Sequence, residues 1–250
     1  MEFALTWKAL KEYLPPAPAS ILDIGGGPGR YAIALAKEGY DITLFDLSQG
    51  NLTFAQDKAR EAGVSLSDYV HGSATDLSHF ADNTFDAVLL MGPLYHLLTP
   101  EERQQAVAEA WRVLRPGGVC FAAFIGRYAA VLDAAVKDRA WIVEHAEECD
   151  ELLRTGINRP DSDAYFTDAY FAHPTEVVPL IESVGFQTGA VIAVEGLTNL
   201  VNGELYRTAS PEIIQAWIDL NYRLAKDPSV HGVSMHLLHV GQKCWDDMDC

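Results

Sequence analysis

Short apolar runs alternate along the chain with longer segments in which apolar residues recur every three or four positions. The run at 85–90 is almost entirely apolar, as in the middle of a parallel sheet, and the longer segments have the spacing of amphipathic helices. Strands that alternate with helices predict an α/β fold with a mostly parallel sheet. We predict strands at 21–24, 41–45, 67–71, 85–90, 119–125, 187–194 and 235–240, and helices at 1–14, 30–38, 51–63, 99–114, 128–153, 174–184 and 211–225.

A glycine-rich turn follows the first strand. Asp23, Gly25, Gly27 and Gly29 occupy alternate positions, and the helix at 30–38 begins directly after them. Glycines let the backbone turn sharply and approach a ligand, and the first amides of a helix favour a polar group above the turn. The stretch predicts a nucleotide-type pocket at the carboxyl end of the first strand. A turn that only packs would explain the bend but not the acid at that spacing.

Two common glycine loops do not fit this stretch. The dinucleotide pattern G-x-G-x-x-G, counted from Gly25, has Arg30 where its third glycine belongs. The phosphate-binding Walker pattern ends in Gly-Lys-Ser/Thr, but no lysine follows Gly29 until Lys37. The pattern that fits is Asp-x-Gly-x-Gly-x-Gly.

This pattern resembles motif I of the class I S-adenosylmethionine-dependent methyltransferases. The run Arg-Val-Leu-Arg-Pro-Gly-Gly at 112–118 resembles the turn before strand five of the same family. The resemblance extends over residues 19–125, about half of the chain. It implies a Rossmann-like three-layer α/β/α fold with a mostly parallel seven-stranded sheet and an antiparallel last strand. The implied cofactor is S-adenosyl-L-methionine (SAM), and the product is S-adenosyl-L-homocysteine.

The resemblance also implies which residues contact the cofactor. Asp23 would lie near the ammonium of the amino-acid tail, above the three glycines of the loop. Asp46, at the end of the second strand, would accept hydrogen bonds from the ribose hydroxyls, although it could instead cap the next helix. Leu47 would line the adenine. Ser73 stands where the family often has an acid, so the adenine contact would involve Ser73 and the backbone of Ala74.

The loop after the fourth strand is the second informative stretch. Loops beyond the carboxyl ends of parallel strands build the site of such folds, so we expect Met91, Tyr95 and His96 near the reacting methyl group. His96 could act as a general base or could only brace its loop. We predict His96, Tyr95 and His173 as the catalytic candidates.

We predict a single methyltransferase domain over residues 1–250. Its parts are an N-terminal helical cover at 1–18, a cofactor-binding core at 19–125, an inserted helical lid at 126–173, and the rest of the sheet at 174–250 with an insertion at 197–232. Aromatic residues at the end of the lid could cover the core or line an acceptor pocket. We predict that the acceptor binds Tyr165, Phe166, Asp168 and Tyr170.

The amino-acid composition limits the classes of molecule that the protein is expected to bind. The chain carries 18 Lys and Arg against 35 Asp and Glu, a formal net charge of −17, which argues against nucleic-acid binding and favours a small molecule. We expect no membrane span and no signal peptide, and therefore a cytoplasmic protein. The four cysteines lack a Cys-x-x-Cys pair, so we predict neither a zinc site nor a disulfide framework. His236 and His239 face opposite sides of a predicted strand, so we expect no metal there either.

The predicted function is SAM-dependent methyl transfer to a small-molecule nucleophile by in-line displacement. A nicotinamide-dependent oxidoreductase is one alternative, and a non-catalytic SAM-binding sensor or scaffold is another. The sequence does not indicate whether nitrogen, oxygen, sulfur or carbon is methylated, and it does not indicate an oligomeric state.

Overall fold

The structure is a computed structural model that describes residues 1–159 and 167–245. The chain forms two compact units that are interleaved along the sequence. We call the first the glycine-loop unit; it comprises Tyr13–Ala123, Pro179–Gly189 and Val240–Cys250. The second unit comprises Met1–Glu12, Phe124–Val178 and Ala190–His239.

Helices and strands alternate over most of the described chain, as the hydrophobic pattern predicts. Most predicted boundaries agree with the structure to within a few residues. The strands are β1 Ser20–Ile24, β2 Asp41–Asp46, β3 Asp68–His71, β4 Phe85–Leu90, β5 Leu114–Gly126, β6 Ile157–Asn158, β7 Ala169–Ala172, β8 Phe186–Ala193 and β9 His236–Lys243. The α-helices are α1 Glu2–Tyr13, α2 Arg30–Lys37, α3 Gln49–Glu61, α4 Pro100–Val113, α5 Ala129–Lys137, α6 Trp141–Glu144, α7 Ala146–Thr155, α8 Pro174–Glu182, α9 Asn202–Thr208 and α10 Pro211–Leu224.

Strands β1 to β5 form a parallel sheet with the order β3-β2-β1-β4-β5. Its centre is β1, in which Ile21 pairs with Ile42 on one side and with Ala87 on the other. Ile21, Ile42 and Ala87 are all fully buried, which explains the apolar runs. The chain order reverses between β1 and β4, and in open α/β sheets ligands bind beyond the carboxyl ends of the strands at such a point.

The described residues contain nine strands, so the predicted count of seven is wrong, although the α/β fold class is confirmed. The two additional strands, β6 and β7, lie in the segment predicted as a helical lid. Gly156 ends α7 with a φ of +78°, a conformation that suits glycine, and the chain then returns so that Ile157 pairs antiparallel with Tyr170. The end of β5 pairs parallel with β7 through Ile125 and Phe171.

The last strand, β9, runs in the opposite direction to β5. Near the start of β9, Met235 accepts a hydrogen bond from the amide of Gly126 at 2.7 Å. Near its end, the side-chain amide of Gln242 donates to the carbonyl of Gly117 at 3.4 Å. The start of β9 therefore lies beside the end of β5, and the end of β9 lies beside the start of β5. This confirms the antiparallel last strand that the family resemblance implies.

The helices of the second unit differ in part from the prediction. The predicted helix at 128–153 is divided into α5, α6 and α7. Helix α1 packs against α10, since Glu12 accepts hydrogen bonds from the hydroxyl of Tyr222 at 2.6 Å and from the ammonium of Lys226 at 2.5 Å. Within the described ranges we find no helix that is both long enough and apolar enough to span a membrane.

The cysteines match the prediction only in part. Cys120 and Cys149 are free and buried, as expected for structural cysteines. Cys244 takes part in a disulfide, a bond that the sequence analysis, which argued only against a disulfide framework, did not predict. Sequence spacing gave no indication of this bond, because disulfides join residues that approach in the fold and connectivity is not a property of spacing.

Candidate functional site

The glycine loop lies directly against the loop that follows β4, within the glycine-loop unit. Gly25 has a φ of +67°, and a Cβ atom added there would lie 2.7 Å from side-chain carbons of Pro93. A Cβ atom added to Gly92 would lie 2.6 Å from the carbonyl oxygen of Gly25. Both positions therefore require glycine for close approach, and Gly25 also requires it for its backbone conformation. The two loops at the reversal point of the sheet are therefore in close contact.

Asp46 connects the glycine loop to the end of β2. Its Oδ2 accepts a hydrogen bond from the amide of Gly27 at 2.8 Å, and its Oδ1 accepts from the amide of Ser48 at 2.8 Å and from the side chain of Asn51 at 3.2 Å. Ser48, not Asp46, caps α3, because the Ser48 hydroxyl accepts from the amide of Asn51. A carboxylate has about four acceptor positions, so Asp46 retains capacity for a further donor. Its predicted ribose contact stays a prediction.

Asp23 lies beneath the glycine loop. Its side chain is buried, its Oδ2 has no hydrogen-bond partner among the described residues, and a Cβ atom on Gly26 would lie 2.5 Å from that oxygen. Burial, and then the nearby charge of Asp46, raise the pKa of Asp23 from 3.8 to about 7. A positively charged ligand above the loop would favour the ionised form of Asp23. The charge of Asp23 would therefore attract the ammonium that is predicted to lie near it. Its Oδ2 is buried under the loop, so the ammonium would not contact that atom directly.

The predicted adenine residues lie on neighbouring loops. The ring of His71 donates from Nε2 to the carbonyl of Leu47 at 2.8 Å, which joins the ends of β2 and β3. The hydroxyl of Ser73 lies 2.8 Å from that of Thr75 and orders the loop after β3, and Ala74 is buried. The Leu47 side chain is 70% exposed, which is unusual for a large apolar group next to buried strands. It offers an apolar face of the kind that lines ligand pockets.

The predicted catalytic residues after β4 lie side by side. The hydroxyl of Tyr95 donates to the carbonyl of Met91 at 3.1 Å, and the rings of Tyr95 and His96 are 4.8 Å apart between centroids. The amide of His96 donates to the carbonyl of Pro93 at 2.8 Å, while its side chain is exposed. Tyr95 and His96 are thus presented by a short, internally hydrogen-bonded turn.

The predicted acceptor residues belong to the second unit. Tyr165 and Phe166 lie outside the described residues. Asp168 is exposed, and the Nε atom of Arg159 lies 4.0 Å from its carboxylate. The ring Nδ1 of His173 accepts from the amide of Thr175 at 3.3 Å, at the start of α8. His173 therefore has a structural role at this helix, and its proposed part in catalysis stays a prediction.

A buried arginine that the sequence analysis did not identify organises this region. Arg127 donates from Nε to the carbonyl of Phe171 at 2.7 Å and from Nη2 to the two carboxylate oxygens of Glu176 at 3.0 and 2.9 Å. Glu176 also accepts from the hydroxyl of Tyr170 and from the amide of His173. Burial opposes ionisation of Glu176, but these donors hold its pKa below the usual value. The hydroxyl of Tyr170 is thus engaged within the second unit.

Another unpredicted arginine supports the loop after β3. Arg112 donates to Glu109 from Nε at 2.8 Å and from Nη2 at 2.8 Å, and it also donates to the carbonyls of Leu77 and Phe80. Glu109 in turn accepts from the amide of Leu77 at 2.7 Å. The hydrogen bond from Arg112 is the main reason that the pKa of Glu109 is lowered. The spacing of Glu109 and Arg112 on one helix face could have indicated the pair, but not the carbonyls it binds.

The family model and the most similar curated proteins that we compared are all methyltransferases. The family described as "Methyltransferase domain" matches residues 22–122, which include the glycine loop and the loop after β4. A tRNA 5-carboxymethoxyuridine methyltransferase of Escherichia coli strain K12 is 31% identical over 188 residues, 74% of this chain and 67% of the relative. A ubiquinone biosynthesis O-methyltransferase of Xanthomonas axonopodis is 30% identical over 174 residues, 70% of this chain and 65% of the relative.

Solved structures share the fold. A SAM-dependent methyltransferase from Methanosarcina mazei superposes with a TM-score of 0.64 at 20% identity, over 95% of this chain and 98% of the other. An S-adenosylmethionine-dependent methyltransferase from Mesorhizobium loti superposes with a TM-score of 0.62 at 18% identity, over 95% and 97% of the two chains. At these identities the likeness establishes the Rossmann-like architecture alone.

Proposed function

Because the chain belongs to the class I SAM-dependent methyltransferases, we propose that its glycine loop binds SAM and that the acceptor of the methyl group is a small molecule. The observation that carries the cofactor assignment is the pair of acids at the reversal point of the sheet. Asp23 and Asp46 place two carboxylates beside a loop in which a Cβ atom added to Gly27 would meet no atom closer than 4.0 Å. Such a site suits a ligand that carries positive charge.

The residues of the loop fit this cofactor on their own chemistry. Ionisation of buried Asp23 is costly, and a cationic ligand above the loop would reduce that cost through its charge, without direct contact with Oδ2. We assign the ribose to Asp46, the adenine to Leu47, Ser73 and Ala74, and the close backbone approach to Gly25, Gly27 and Gly29. Met91 follows β4, on the turn that packs on the glycine loop.

When bound, SAM supplies an electrophilic methyl group on a sulfonium. The protein's contribution is to fix that methyl in line with the acceptor and to exclude water, and alignment alone can account for a large rate enhancement. Tyr95 and His96 are proposed to orient the acceptor, with His96 as its hydrogen-bond partner. We also propose that the acceptor contacts Asp168, Tyr170 and His173.

A small-molecule acceptor is supported by charge. The formal net charge of −17 gives the protein a field that repels a polyanion, whereas nucleic-acid binding depends on basic clusters that neutralise phosphates. The ubiquinone biosynthesis relative also has a name that implies a non-polymeric acceptor. An RNA acceptor is the second candidate, because the E. coli relative at 31% identity is named as a tRNA methyltransferase.

Calorimetric titration with SAM, S-adenosyl-L-homocysteine and NADH tests the cofactor. We expect both sulfur compounds to bind and NADH not to bind. No binding of SAM would overturn the proposal.

Release of S-adenosyl-L-homocysteine, measured with a panel of phenols, amines and thiols and separately with unfractionated tRNA, tests the acceptor class. We expect turnover with a member of the small-molecule panel and none with tRNA. Turnover with tRNA alone would replace the first candidate with the second.

A further inference from the structure

The last residue of β3 is a histidine whose side chain reaches beyond the backbone pairing of its strand. Strand β3 lies at one edge of the sheet and pairs in parallel with β2, and the last pair in their register joins His71 to Asp46. The ring of His71 extends one residue further, because its Nε2 lies 2.8 Å from the carbonyl oxygen of Leu47. The imidazole therefore ties the edge strand to the residue that follows Asp46.

Two successive carbonyls at the end of β2 are held from β3. The carbonyl of Asp46 accepts a hydrogen bond from the amide of Gly72 at 3.1 Å, and the carbonyl of Leu47 accepts from the ring of His71. Gly72 permits this close approach, since a Cβ atom added there would lie 2.5 Å from the ring of Phe45. The backbone of Asp46 and Leu47 is thus fixed by the last residue of β3 and the residue after it.

The side chain of Asp46 is fixed by a separate set of donors. The amides of Gly27 and Ser48 each donate to its carboxylate at 2.8 Å. Ser48 is already the N-cap of α3, so the chain passes from strand to helix within residues 46–48, which we call the β2–α3 connection. The glycine loop holds the carboxylate of this connection, and His71 holds its backbone.

The hydrogen bond from His71 matters more for a ligand than for the core. The side chain of Leu47 is 70% exposed, so packing against buried residues does little to fix its position. A hydrogen bond to its backbone carbonyl orders this residue by other means. Groups that are ordered before a ligand arrives lose less conformational entropy when it binds, and the ligand binds more tightly as a result.

We propose that His71 is a positioning residue for the nucleoside half of the cofactor. Through the carbonyl of Leu47 it holds the β2–α3 connection so that the Asp46 carboxylate meets the ribose and the Leu47 side chain meets the adenine. This rests on the proposed function, which assigns the ribose and the adenine to these two residues. A carbonyl only accepts hydrogen bonds, so Nε2 of His71 carries the proton that the bond requires.

Two substitutions of His71 separate this hydrogen bond from the presence of the ring. The side-chain nitrogen of glutamine can occupy the place of the imidazole Nε2, whereas that of asparagine corresponds to Nδ1 and is too close to the backbone to reach Leu47. H71Q should therefore keep the donor to the Leu47 carbonyl, and H71N should lose it. Both variants should fold, because His71 is an exposed residue at the end of an edge strand.

Calorimetric titration with S-adenosyl-L-homocysteine and with methylthioadenosine tests the effect on binding. Methylthioadenosine contains the adenine and the ribose but lacks the amino-acid tail. We expect H71N to bind both compounds about 3- to 10-fold more weakly than wild type, the equivalent of one neutral hydrogen bond, and H71Q to bind them as wild type does. Equal affinities of H71N and wild type, or equal losses in H71N and H71Q, would overturn the role of the hydrogen bond. A loss with S-adenosyl-L-homocysteine alone would overturn the assignment to the nucleoside half.

Hydrogen exchange of the Ser48 amide, measured by NMR on the ligand-free protein, tests the ordering of the β2–α3 connection apart from binding. Exchange should be faster in H71N than in wild type and H71Q, and unchanged exchange in H71N would contradict the proposal. H79N is the matched control, because His79 is another exposed histidine of the glycine-loop unit and its ring lies beside that of Phe45. It should behave as wild type in both measurements.

The two proposals fail in different ways. If wild type binds S-adenosyl-L-homocysteine and H71N binds it equally well, the role of His71 is wrong while the proposed function stands. If wild type binds neither compound, the proposed function itself fails.

Discussion

The buried carboxylate of Asp23 should link stability to pH, and Asp23→Asn should remove the link. In the folded protein the pKa of Asp23 is about 7, against 3.8 without the fold. Between these two values the unfolded chain has lost the proton while the folded chain retains it, so stability falls as pH rises. At ~1.36 kcal/mol per pKa unit, the full effect is up to about 4 kcal/mol, present below pH ~4 and lost by pH ~7.

The substitution replaces the carboxyl by an amide of the same shape that does not ionise. The amide carries donors that the site does not satisfy, which costs about 1–3 kcal/mol at any pH. We therefore expect Asp23→Asn to be less stable than wild type near pH 4 and more stable near pH 8. Urea unfolding at one-unit pH intervals measures both curves, and Asp41→Asn, at an exposed position at the start of β2, is the control.

The same substitution should reduce cofactor binding in a pH-dependent way. A cationic ligand favours ionised Asp23, so the affinity of wild type for SAM should rise between pH 6 and pH 8, whereas that of Asp23→Asn should not. Parallel stability curves for wild type and Asp23→Asn between pH ~4 and pH ~7 would refute the reasoning, because they would show that folding does not raise the pKa of Asp23.

Three further substitutions test other parts of the structure. Asp46→Asn should weaken SAM binding about 10- to 100-fold, because it removes charge-assisted hydrogen bonds of about 1.5–3 kcal/mol, and Asp57→Asn, an exposed control, should bind normally in the same calorimetric titration. Gly25→Ala should reduce SAM affinity at least tenfold with circular dichroism unchanged, since its φ of +67° and the contact with the loop after β4 oppose a Cβ atom. Arg127→Met should lower the free energy of unfolding by about 3 kcal/mol. This is the lower end of the cost of removing one partner of a buried ion pair, because Glu176 is partly exposed. Differential scanning calorimetry should then show a Tm lowered by about 6–12 °C, and an unchanged Tm would contradict the role of Arg127.

The sequence predicted those parts of the molecule that are determined by residues close together in the chain. The glycine loop could be recognised because its acid, its glycines and the following helix occupy a few consecutive positions. Asp46 could be placed because a βαβ unit has a nearly fixed length. The alternation of strands and helices followed from buried apolar runs such as 85–90.

The features that were missed depend on contacts between distant residues. Arg127 and Glu176 are separated by 49 positions, and Lys243 donates at 2.8 Å to the carbonyl of Leu114, 129 positions earlier. The periodic pattern of hydrophobic residues does not indicate which distant residues pair. The strand β6 has two residues, too few for any hydrophobic pattern, so the segment before it suggested helix throughout.

The interleaving of the two units has a consequence for how the protein is made. The glycine-loop unit includes Val240–Cys250, and Lys243 within it supplies the ammonium that joins the carbonyls of Trp111 and Leu114. A ribosome that has completed β1 to β5 has therefore not yet produced the strand segment that finishes their unit. Domains usually fold as units during synthesis. Here we expect the nascent chain to bear an unfinished sheet until β9 has emerged, so chaperone dependence should be greatest before that point.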